Sequence, residues 1–487
     1  MHRVRAWQAT LILAVAVALI STAGAQANVP LIQVSTDPYT NATSQHATEE
    51  EPDTFADHGT VVAAFQVGRF FNGGASDIGV VRSGDGGATW DAPGFLHDTF
   101  NSGDASSRYE RVSDASVAYD AAHGVWLVSS IPLLPRVSVP TVFVNRSTDD
   151  GRTWGPAVTI PPPASNSVDL DKNWTVCDNH ALSPFYGHCY TELDNFGDGD
   201  LELMSTSTDG GLTWSAPIRT DGNDKGLGGQ PVVQPSGRVV VPFESLNGTI
   251  SSFSSDNGGA SWNKADTVSH IRFHHNTGGL RTSPLPTAEI AADGTVFVAW
   301  EDCRFRKKCP GNDIVFSSSA DGISWTDVAR VPIDDVTSGA DHFIPGLAVD
   351  PATSGSTTKL ALTYYFYPDA TCSGGCQLDV GYISSPDGGA HWGAPTQLAG
   401  PMTLDQIAQT SQGSMVGDYI STSFSGGFAT TVFAVGKPAT VAAFDEAMYS
   451  PGRLAIATAA QATRLSTTAA VSTGPGIGAT IQAIRQD

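Results

Sequence analysis

The sequence predicts an all-β fold, a β-propeller of four-stranded blades, from three observations. Charged residues make up only 15% of a chain rich in Gly, and helical periodicity is scarce. Two β-like runs precede and one follows each copy of a recurring turn segment, which is typical of a propeller blade. The turn segment, with Ser seven and Gly three residues before Trp, recurs at Ser83–Trp90, Ser147–Trp154, Ser207–Trp214, Ser255–Trp262, Ser318–Trp325 and Ser385–Trp392.

The turn segment consists of residues with separate physical tasks. An Asp folds its side chain back onto turn amides, Gly accepts a positive φ, and Trp buries its ring beside the hairpin. In the six copies the position five residues before Trp is Asp85, Asp149, Asp209, Asn257, Ala320 and Asp387. Asn257 retains the hydrogen-bonding capacity, whereas the fifth copy is degenerate because Asp321 is displaced by one residue. The segment predicts hairpins and says nothing direct about catalysis.

The number of blades depends on the strands outside the turn segments. In the fifth unit the four predicted strands are Thr287–Ile290, Thr295–Trp300, Asp313–Ser318 and Val328–Ile333. A last unit without a turn segment is predicted from Met415–Phe424, Phe428–Val435 and Leu454–Thr458, with Leu31–Ser35 as its outer strand. This arrangement favours seven blades, because closure by the N-terminal strand protects the sheet edges. The alternative is six blades with an appended hairpin.

The chain divides into three parts. Residues 1–27 combine a charged start, a short apolar run and small residues, which is the pattern of a signal peptide. Residues 28–458 form the predicted propeller, and residues 459–487 are a low-complexity tail. We therefore expect a secreted, extracellular protein without a transmembrane segment. In that compartment the cysteines are expected to form the disulfides Cys177–Cys189, Cys303–Cys309 and Cys372–Cys376.

The charge of the chain restricts its partners. A formal net charge of -23 and a pI near 4.7 argue against nucleic acid and against anionic membrane surfaces, which both require a basic face. An anionic substrate would have to be recognised by a local cluster of arginines. We expect a carbohydrate or glycoconjugate partner, and the sequence leaves the oligomeric state open.

The first unit has a family resemblance. Its residues are Gly68-Arg69, Gly73, Gly74 and Asp77-Ile78, followed by the first turn segment. This stretch resembles the corresponding part of the bacterial sialidase (neuraminidase) superfamily, the BNR or Asp-box repeat proteins, and the resemblance covers nearly the whole mature chain. It implies a site in which three arginines hold a substrate carboxylate, a tyrosine assisted by a glutamate is the nucleophile, and a loop aspartate is the acid/base.

The chain departs from the family pattern at two places. Residues 51–55 read Glu-Pro-Asp-Thr-Phe where the family has its early arginine motif. Gln234 and Glu244 stand where the family has its glutamate and a second arginine. These replacements predict a site that differs from that of a strict sialidase.

The loops between strands two and three, and those leading to the next blade, surround one mouth of a propeller channel. The candidate catalytic residues in these positions are Tyr419, Asp77, Glu301 and His342. The candidate substrate-binding residues are Arg69, Arg111, Arg281, Arg304, Arg306 and Trp174. Tyr419 resembles the family's late tyrosine, with a packed strand tyrosine as the alternative. The loop from Trp300 to Arg306 combines arginines, carboxylates and a disulfide, with a surface ion-pair patch as the alternative.

A separate acidic stretch has the composition of a calcium loop. Asp194, Asp198 and Asp200 offer oxygen ligands at close spacing between glycines, but the downstream glutamate of an EF-hand is absent. The two interpretations are a structural calcium site and an acidic turn. No other cofactor is required by the chemistry considered below.

The sequence is compatible with three functions. The first is a sialidase-like glycoside hydrolase of the exo-α-sialidase type, acting on extracellular glycans with an acidic terminal sugar. The second is a non-catalytic glycan-binding protein that keeps the turn segments for folding only. The third is a polysaccharide lyase, in which an arginine neutralises a uronate and His342 or Tyr419 removes the α-proton.

Overall fold

A computed structural model describes residues 29–464 of the chain. The predicted signal peptide and the tail beyond Arg464 lie outside the described residues. The first strands are β1 (Ile32–Gln33), β2 (Glu49–Asp57), β3 (Thr60–Arg69), β4 (Ala75–Ser83), β5 (Gly94–Phe95), β6 (Arg111–Asp120), β7 (Val125–Leu133), β8 (Phe143–Ser147) and β9 (Val158–Thr159). They are followed by β10 (Leu170–Cys177), β11 (Cys189–Asn195), β12 (Leu201–Ser207), β13 (Ile218–Arg219), β14 (Gly226–Leu227), β15 (Val232–Val233), β16 (Val239–Ser245), β17 (Thr249–Ser255) and β18 (Asp266–His270).

The second half of the chain is equally rich in strands. It contains β19 (Thr287–Ile290), β20 (Val296–Asp302), β21 (Asp313–Ser319), β22 (Ala329–Arg330), β23 (Asp341–Val349), β24 (Leu360–Tyr367), β25 (Gln377–Ser385), β26 (His391–Trp392) and β27 (Thr396–Thr403). It ends with β28 (Ala408–Thr410), β29 (Gly413–Met415), β30 (Ser421–Ser425), β31 (Phe428–Gly436), β32 (Glu446–Ser450) and β33 (Thr463–Arg464). The helical segments of the described chain are the 3₁₀ turns Phe196–Asp198, Gly355–Thr357 and Leu404–Gln406. The predicted all-β fold is confirmed.

The strands form antiparallel sheets of consecutive segments. Four-stranded orders are β10-β11-β12-β13, β19-β20-β21-β22 and β23-β24-β25-β27. β14 and β15 both pair with β16 in a five-stranded sheet that continues through β17 and β18. The longest sheet consists of two meanders, β2 to β5 and β6 to β9, joined through the pair Ala75 and Val112. The short hairpin β28-β29 and the pair β26-β33 stand apart.

The last sheet has the order β1-β32-β31-β30, so the predicted N-terminal outer strand pairs as expected, with Ile32 opposite Ser450. The third strand of this sheet was predicted wrongly at Leu454–Thr458. It is β32, and Leu454 makes only an isolated bridge with Ala429. The error arises because β32 begins with a charged residue, Glu446, which is buried and accepts a hydrogen bond from the amide of Ala408.

The turn segments fold as their residues predict. In the first copy the Ser83 hydroxyl donates to Asp85 and accepts from the Gly87 amide, and Asp85 accepts from both the amide and the hydroxyl of Thr89. The fifth copy retains such a turn in a shorter form. There Ser319 and Asp321 take the two roles, and Asp321 accepts from the Ser324 amide. The displaced Asp is therefore a shortened turn, not a lost one.

Neighbouring sheets are joined by apolar packing and by their first strands. One cluster contains Val62 and Val80 from the first meander and Val117, Trp126 and Val128 from the second. The innermost strands contact one another in the order β2, β6, β10, β15, β19, β23 and β30, and β30 contacts β2. Packing of this kind is the main source of stability in such a core. No helix among residues 29–464 is long and apolar enough to cross a membrane.

The three predicted disulfides are confirmed. Cys177–Cys189 links β10 to β11, while Cys303–Cys309 and Cys372–Cys376 close short loops. Cys177–Cys189 joins the first and second strands of its sheet. The other two bridges each close a loop between the second and third strands of a sheet. Loops at these positions are thereby held in one conformation.

Candidate functional site

Four innermost strands carry a β-bulge near their N-terminal ends. The pairing register of β2, β6, β10 and β23 with the next strand shifts there. The residues in these bulges with left-handed φ, between 46° and 53°, are Glu51, Asp114, Lys172 and Ile344, of which the first three are charged. Bulges turn a side chain away from the regular alternation, and left-handed φ is uncommon in non-glycine residues. We call this end of the innermost strands the mouth.

The Lys172 ammonium group is the centre of the mouth. Its Nζ atom lies 2.6 Å from Asp418 Oδ2 and 2.9 Å from Asp114 Oδ1. Glu51 Oε1 lies 3.7 Å from the same nitrogen and accepts a hydrogen bond from the Asp418 amide. All four side chains are buried. One ammonium therefore organises three carboxyl groups that come from three different sheets or connections.

Two arginines complete the charge network. Arg281 forms a bidentate pair with Asp418, with Nε 2.9 Å from Oδ1 and Nη2 2.7 Å from Oδ2. Arg69 Nε lies 2.8 Å from Glu50 Oε1, and both side chains are buried. Such planar pairs fix the carboxylates in position. The cations of the mouth are thus engaged with protein carboxylates.

The network separates the proton affinities of its carboxyl groups. Burial would raise the pKa of Asp418, but Arg281 and Lys172 hold it well below its usual range. Burial raises the pKa of Glu51 to about 7, although Lys172 opposes the shift. Burial also raises the pKa of Asp171 to about 6 against the same opposition. Neighbouring acids with separated pKa values are what acid–base catalysis requires.

Lys172 keeps its charge in spite of its surroundings. Burial alone would lower its pKa, but Asp114, Asp418 and Glu51 raise it well above the usual value. A buried charge is stable only when it is paired in this way.

Two aromatic rings form the floor behind the charges. The rings of Trp174 and Tyr419 meet edge to face with centroids 5.2 Å apart, and Lys172 Nζ lies 5.7 Å from the Tyr419 centroid. The Tyr419 hydroxyl donates to the Ala115 carbonyl at 3.2 Å. Burial, followed by Glu51 and further carboxylates, raises the pKa of Tyr419 well above its usual value. The predicted nucleophile is therefore beside the cluster but protonated and engaged with the backbone.

A mouth cavity of about 90 Å³ opens onto this cluster. Its lining includes Glu51, Arg69, Asp114, Asp171, Lys172 and Arg281. The loop after β3 borders it through Gly73 and Gly74, and the loop after β11 borders it through Phe196. Phe196 is 42% exposed, and Phe71 in the first of these loops is 57% exposed. Exposed aromatic rings beside a polar cavity are typical of a binding surface.

The fifth-unit candidates lie elsewhere. Arg306 is fully buried and pairs with Asp313 and Asp334, while Arg304 pairs with Asp302. These ion pairs hold the disulfide-closed loop against its own sheet. Neither arginine lines the mouth cavity.

Glu301 and His342 are also buried and line neither that cavity nor the one beside Trp174. Glu301 accepts a hydrogen bond from the Ile344 amide, and burial raises its pKa well above the usual value. The His342 ring stacks on Phe366. Burial lowers the pKa of His342, which keeps the imidazole neutral.

Asp77 and Arg111 lie on the first and second meanders, and neither lines the mouth cavity. Asp77 is buried and accepts hydrogen bonds from the Tyr39 hydroxyl and the His97 amide. Burial raises its pKa to about 6. Arg111 lies over the Phe70 ring and donates to the Gly73 carbonyl, which lies at the cavity wall. Of the sequence-predicted residues, Arg69, Arg281, Trp174 and Tyr419 are brought together at the mouth.

The predicted calcium stretch is split between the interior and the surface. Asp194 and Asp200 are buried, whereas Asp198 is exposed and accepts from the Asn195 amide group. Among residues 29–464, the acidic or histidine groups with converging ligand atoms are Asp120 with Cys177 and Cys189, and Asp313 with Asp334 and His342. The first contains a disulfide and the second is paired with arginines. The calcium site at Asp194, Asp198 and Asp200 stays a prediction.

Glu51 and Asp171 were not predicted as site residues from the sequence. A signal for Glu51 was available, because it stands where the family has its arginine motif and therefore at the inner end of a first strand. Asp171 directly precedes Lys172 in the third unit. Aligning the first strands of successive units on their bulges would have exposed both positions, but the bulges themselves are not readable from the residue pattern.

Comparison with known proteins gives one family match. Residues 59–292 match the model of the BNR repeat-like domain. No curated protein sequence matches the chain. A protein of unknown function from Dyadobacter fermentans is 16% identical with a TM-score of 0.45, covering 73% of this chain and 99% of that one.

Two enzymes are similar at the same level. The intramolecular trans-sialidase from Ruminococcus gnavus is 14% identical with a TM-score of 0.41, over 90% of this chain and 98% of that one. A PL25 polysaccharide lyase, an ulvan lyase, is 10% identical with a TM-score of 0.48, over 88% of this chain and 97% of that one. Similarity this low leaves the chemistry of the site to be argued from its own residues.

Proposed function

We propose that this chain, which matches the BNR repeat-like domain over residues 59–292, is a secreted glycoside hydrolase acting on extracellular glycans at the mouth of a β-propeller. The observation behind the proposal is the group of carboxyls with separated pKa values around Lys172. In this assignment Glu51 is the proton donor and Asp171 the base, while Asp418 is held ionised as a fixed charge.

The propeller architecture with seven blades is part of this proposal. Six units bear the turn segments, five of them four-stranded and one five-stranded, and the sheet β1-β32-β31-β30 supplies a seventh without one. The sequence of contacts between innermost strands, which returns from β30 to β2, supports a circular arrangement. In a propeller, the loops that border the mouth cavity then lie on one face.

Glycan specificity is proposed from the shape of the mouth. Exposed Phe71 and Phe196 offer flat apolar surfaces on two loops that border the cavity. A sugar ring has apolar C–H faces that pack on such rings, while its hydroxyls reach the charged groups below. Proton donation by Glu51 to the glycosidic oxygen would then occur in a site whose charges need little reorganisation.

An acidic terminal sugar fits this mouth less well than a neutral one. Arg69, Lys172 and Arg281 each form ion pairs with protein carboxylates, so a substrate carboxylate would have to compete for them. Tyr419 is also protonated and hydrogen-bonded, which does not favour its role as nucleophile. These features support a hydrolase that differs from sialidases in its catalytic groups.

A non-catalytic glycan-binding protein is the second candidate. It is favoured by the same complete pairing of cations, because a network of satisfied ion pairs also serves as a rigid binding floor. A lyase using His342 as base receives no support from the position of that ring, which stacks on Phe366 away from the mouth cavity.

The test is incubation of the purified protein with a panel of neutral and sialylated oligosaccharides. We expect new reducing ends, produced by the parent and lost in Glu51→Gln and Asp171→Asn. Asp104→Asn is the matched control, since Asp104 is partly exposed and does not line the cavity. Products that absorb in the ultraviolet would indicate a lyase, and glycan binding without products would indicate the second candidate. Cleavage of a fluorogenic sialoside that is lost in Tyr419→Phe and Arg281→Ala would restore the sialidase assignment.

A further inference from the structure

A second cavity lies at the opposite ends of the innermost strands. This axial cavity of about 250 Å³ is lined by residues from β2, β6, β10, β15, β19, β23 and β30. The mouth cavity is lined by the starts of these strands, such as Glu51 and Lys172, whereas the axial cavity is lined by their later residues, such as Asp57 and Ile290. Trp174 lines the axial cavity and also the small cavity that contains Asp418 and Tyr419.

The charged side chains of the axial cavity are acidic. Asp53, Asp57 and Glu289 line it, and its lining includes neither lysine nor arginine among the described residues. Asp53 already has hydrogen-bond partners, since its two oxygens accept hydrogen bonds from the amides of Thr54 and Val117. Asp57 lies 2.5 Å from the ring of His58 at the rim. Glu289 is half-buried on the wall, with the Ile290 amide as its backbone hydrogen-bond partner.

The rest of the wall is apolar and aromatic. Phe55, Trp174 and Phe424 line the cavity together with aliphatic residues of the other strands. Aromatic faces attract organic cations, and a buried carboxylate pairs with an ammonium group. Calcium is disfavoured here, because it requires six or more oxygen ligands.

From this geometry we propose that the axial cavity is a second binding site, for a small organic cation with a primary ammonium group paired to Glu289 and an apolar body against the aromatic wall. The site shares the Trp174 ring with the small cavity beside Tyr419, but Glu289 does not line the mouth cavity, and the site does not depend on the glycan chemistry proposed there. Its ligand is expected to enter from the face that carries Asp57, away from the glycan-binding loops.

The charge state of Glu289 predicts that ligand binding releases a proton. Burial, followed by the charge of Asp53, raises the pKa of Glu289 to about 8. At pH 7 the group is therefore mostly protonated, and pairing with an ammonium ion favours its ionised form. Binding should release nearly one proton. The other titratable groups that face Glu289 are Asp53, Asp57 and His180.

The experiment is calorimetric titration of the full mature protein with cyclohexylammonium chloride, with cyclohexanol as the neutral isostere. We expect one-to-one binding of the ammonium, at least tenfold tighter than the alcohol. Titration at pH 7 in phosphate and in MOPS, which differ in ionisation enthalpy and contain no primary ammonium group, should report the released proton. Glu289→Gln should weaken ammonium binding at least tenfold and abolish the proton release.

Controls separate this site from the mouth. Glu51→Gln should bind cyclohexylammonium as the parent does, and the unfolding transition of Glu289→Gln shows whether that variant is folded. Equal affinity for the ammonium and the alcohol, ammonium binding that survives Glu289→Gln, or tighter Glu289-dependent binding of calcium chloride would each overturn the proposal. Loss of ammonium binding in Glu289→Gln, with glycan cleavage retained, would support the second binding site. This result would support the second site even if Glu51 and Asp171 were not the catalytic groups.

Discussion

At the mouth, Lys172 and Arg281 compensate the carboxylates of Asp114 and Asp418, whereas at the other end of the same strands Asp53 and Glu289 line a cavity without lysine or arginine in its described wall. The two ends belong to the same strands, but the backbone differs between them. The bulges of β2, β6 and β10 place charged residues at one end, and the regular parts of the strands place acidic, apolar and aromatic residues at the other.

The comparison teaches how one scaffold provides two kinds of site. A compensated network holds its charges in fixed positions and separates their pKa values, which suits proton transfer. An uncompensated carboxyl group in an apolar cavity holds a proton instead and is open to a cation. The predictions below test each side of this difference.

The largest effect is expected at the proposed proton donor. Glu51→Gln removes the transferable proton but keeps the size of the side chain, so glycan cleavage should fall by roughly 10²–10⁴-fold. Glu289→Gln is the matched change at the axial end and should leave the rate unchanged. The measurement is the initial rate of reducing-end formation. Equal losses in the two variants would erase the functional distinction between the ends.

Removal of the central cation should destabilise the fold strongly. Lys172→Met leaves three buried carboxyl groups without their shared ammonium, and we expect a loss of about 3–5 kcal/mol in the free energy of unfolding. Lys359→Met, which breaks a more exposed pair with Asp350, should cost less than about 1 kcal/mol. Urea unfolding monitored by tryptophan fluorescence measures both. Similar losses would show that the mouth network behaves as a surface network.

Smaller effects are expected at the exposed aromatic rings. Phe71→Ala and Phe196→Ala should each weaken glycan binding by roughly tenfold, as expected for the loss of about 1–1.5 kcal/mol of ring contact. Leu182→Ala is the control, since that side chain is 98% exposed in the loop after β10. Isothermal titration of the inactive Glu51→Gln background gives the affinities. Unchanged binding in both phenylalanine variants would move the glycan away from these loops.

A further effect is expected in the pH dependence of stability. The pKa of Glu289 is raised to about 8 in the folded protein, above its value of about 4.5 in the unfolded chain. Its contribution is therefore full at low pH and is lost as pH rises from about 5 to 8. Glu289→Gln should show a shallower decline over this range, measured by urea unfolding at several pH values. An identical slope would mean that Glu289 ionises normally.

The fold was largely predictable because its signal is local. Ser, Asp, Gly and Trp of each turn segment interact within eight residues, so the hydrogen bonds around Asp85 follow from the sequence. Strand β32 was missed because the burial of Glu446 depends on the distant amide of Ala408. The fifth turn segment looks degenerate in sequence because all copies are aligned at a fixed spacing from Trp. Such an alignment does not allow for the shortened turn at Asp321.

The site was only partly predictable because its geometry is tertiary. Arg69, Arg281 and Tyr419 were placed correctly near a mouth, but their partners Glu50 and Asp418 lie far away in the chain. Arg306 has the composition of a binding residue, yet its carboxylate partners bury it completely. Charge type alone does not show whether an arginine faces a ligand or another residue of the protein.

The most direct test is a crystal structure of Glu51→Gln with a bound oligosaccharide selected from the cleavage panel. We expect sugar density over the mouth cavity, with a ring against Phe71 or Phe196 and a glycosidic oxygen within hydrogen-bonding distance of the substituted side chain. Density in the axial cavity or on the outer strands, with an empty mouth, would contradict it.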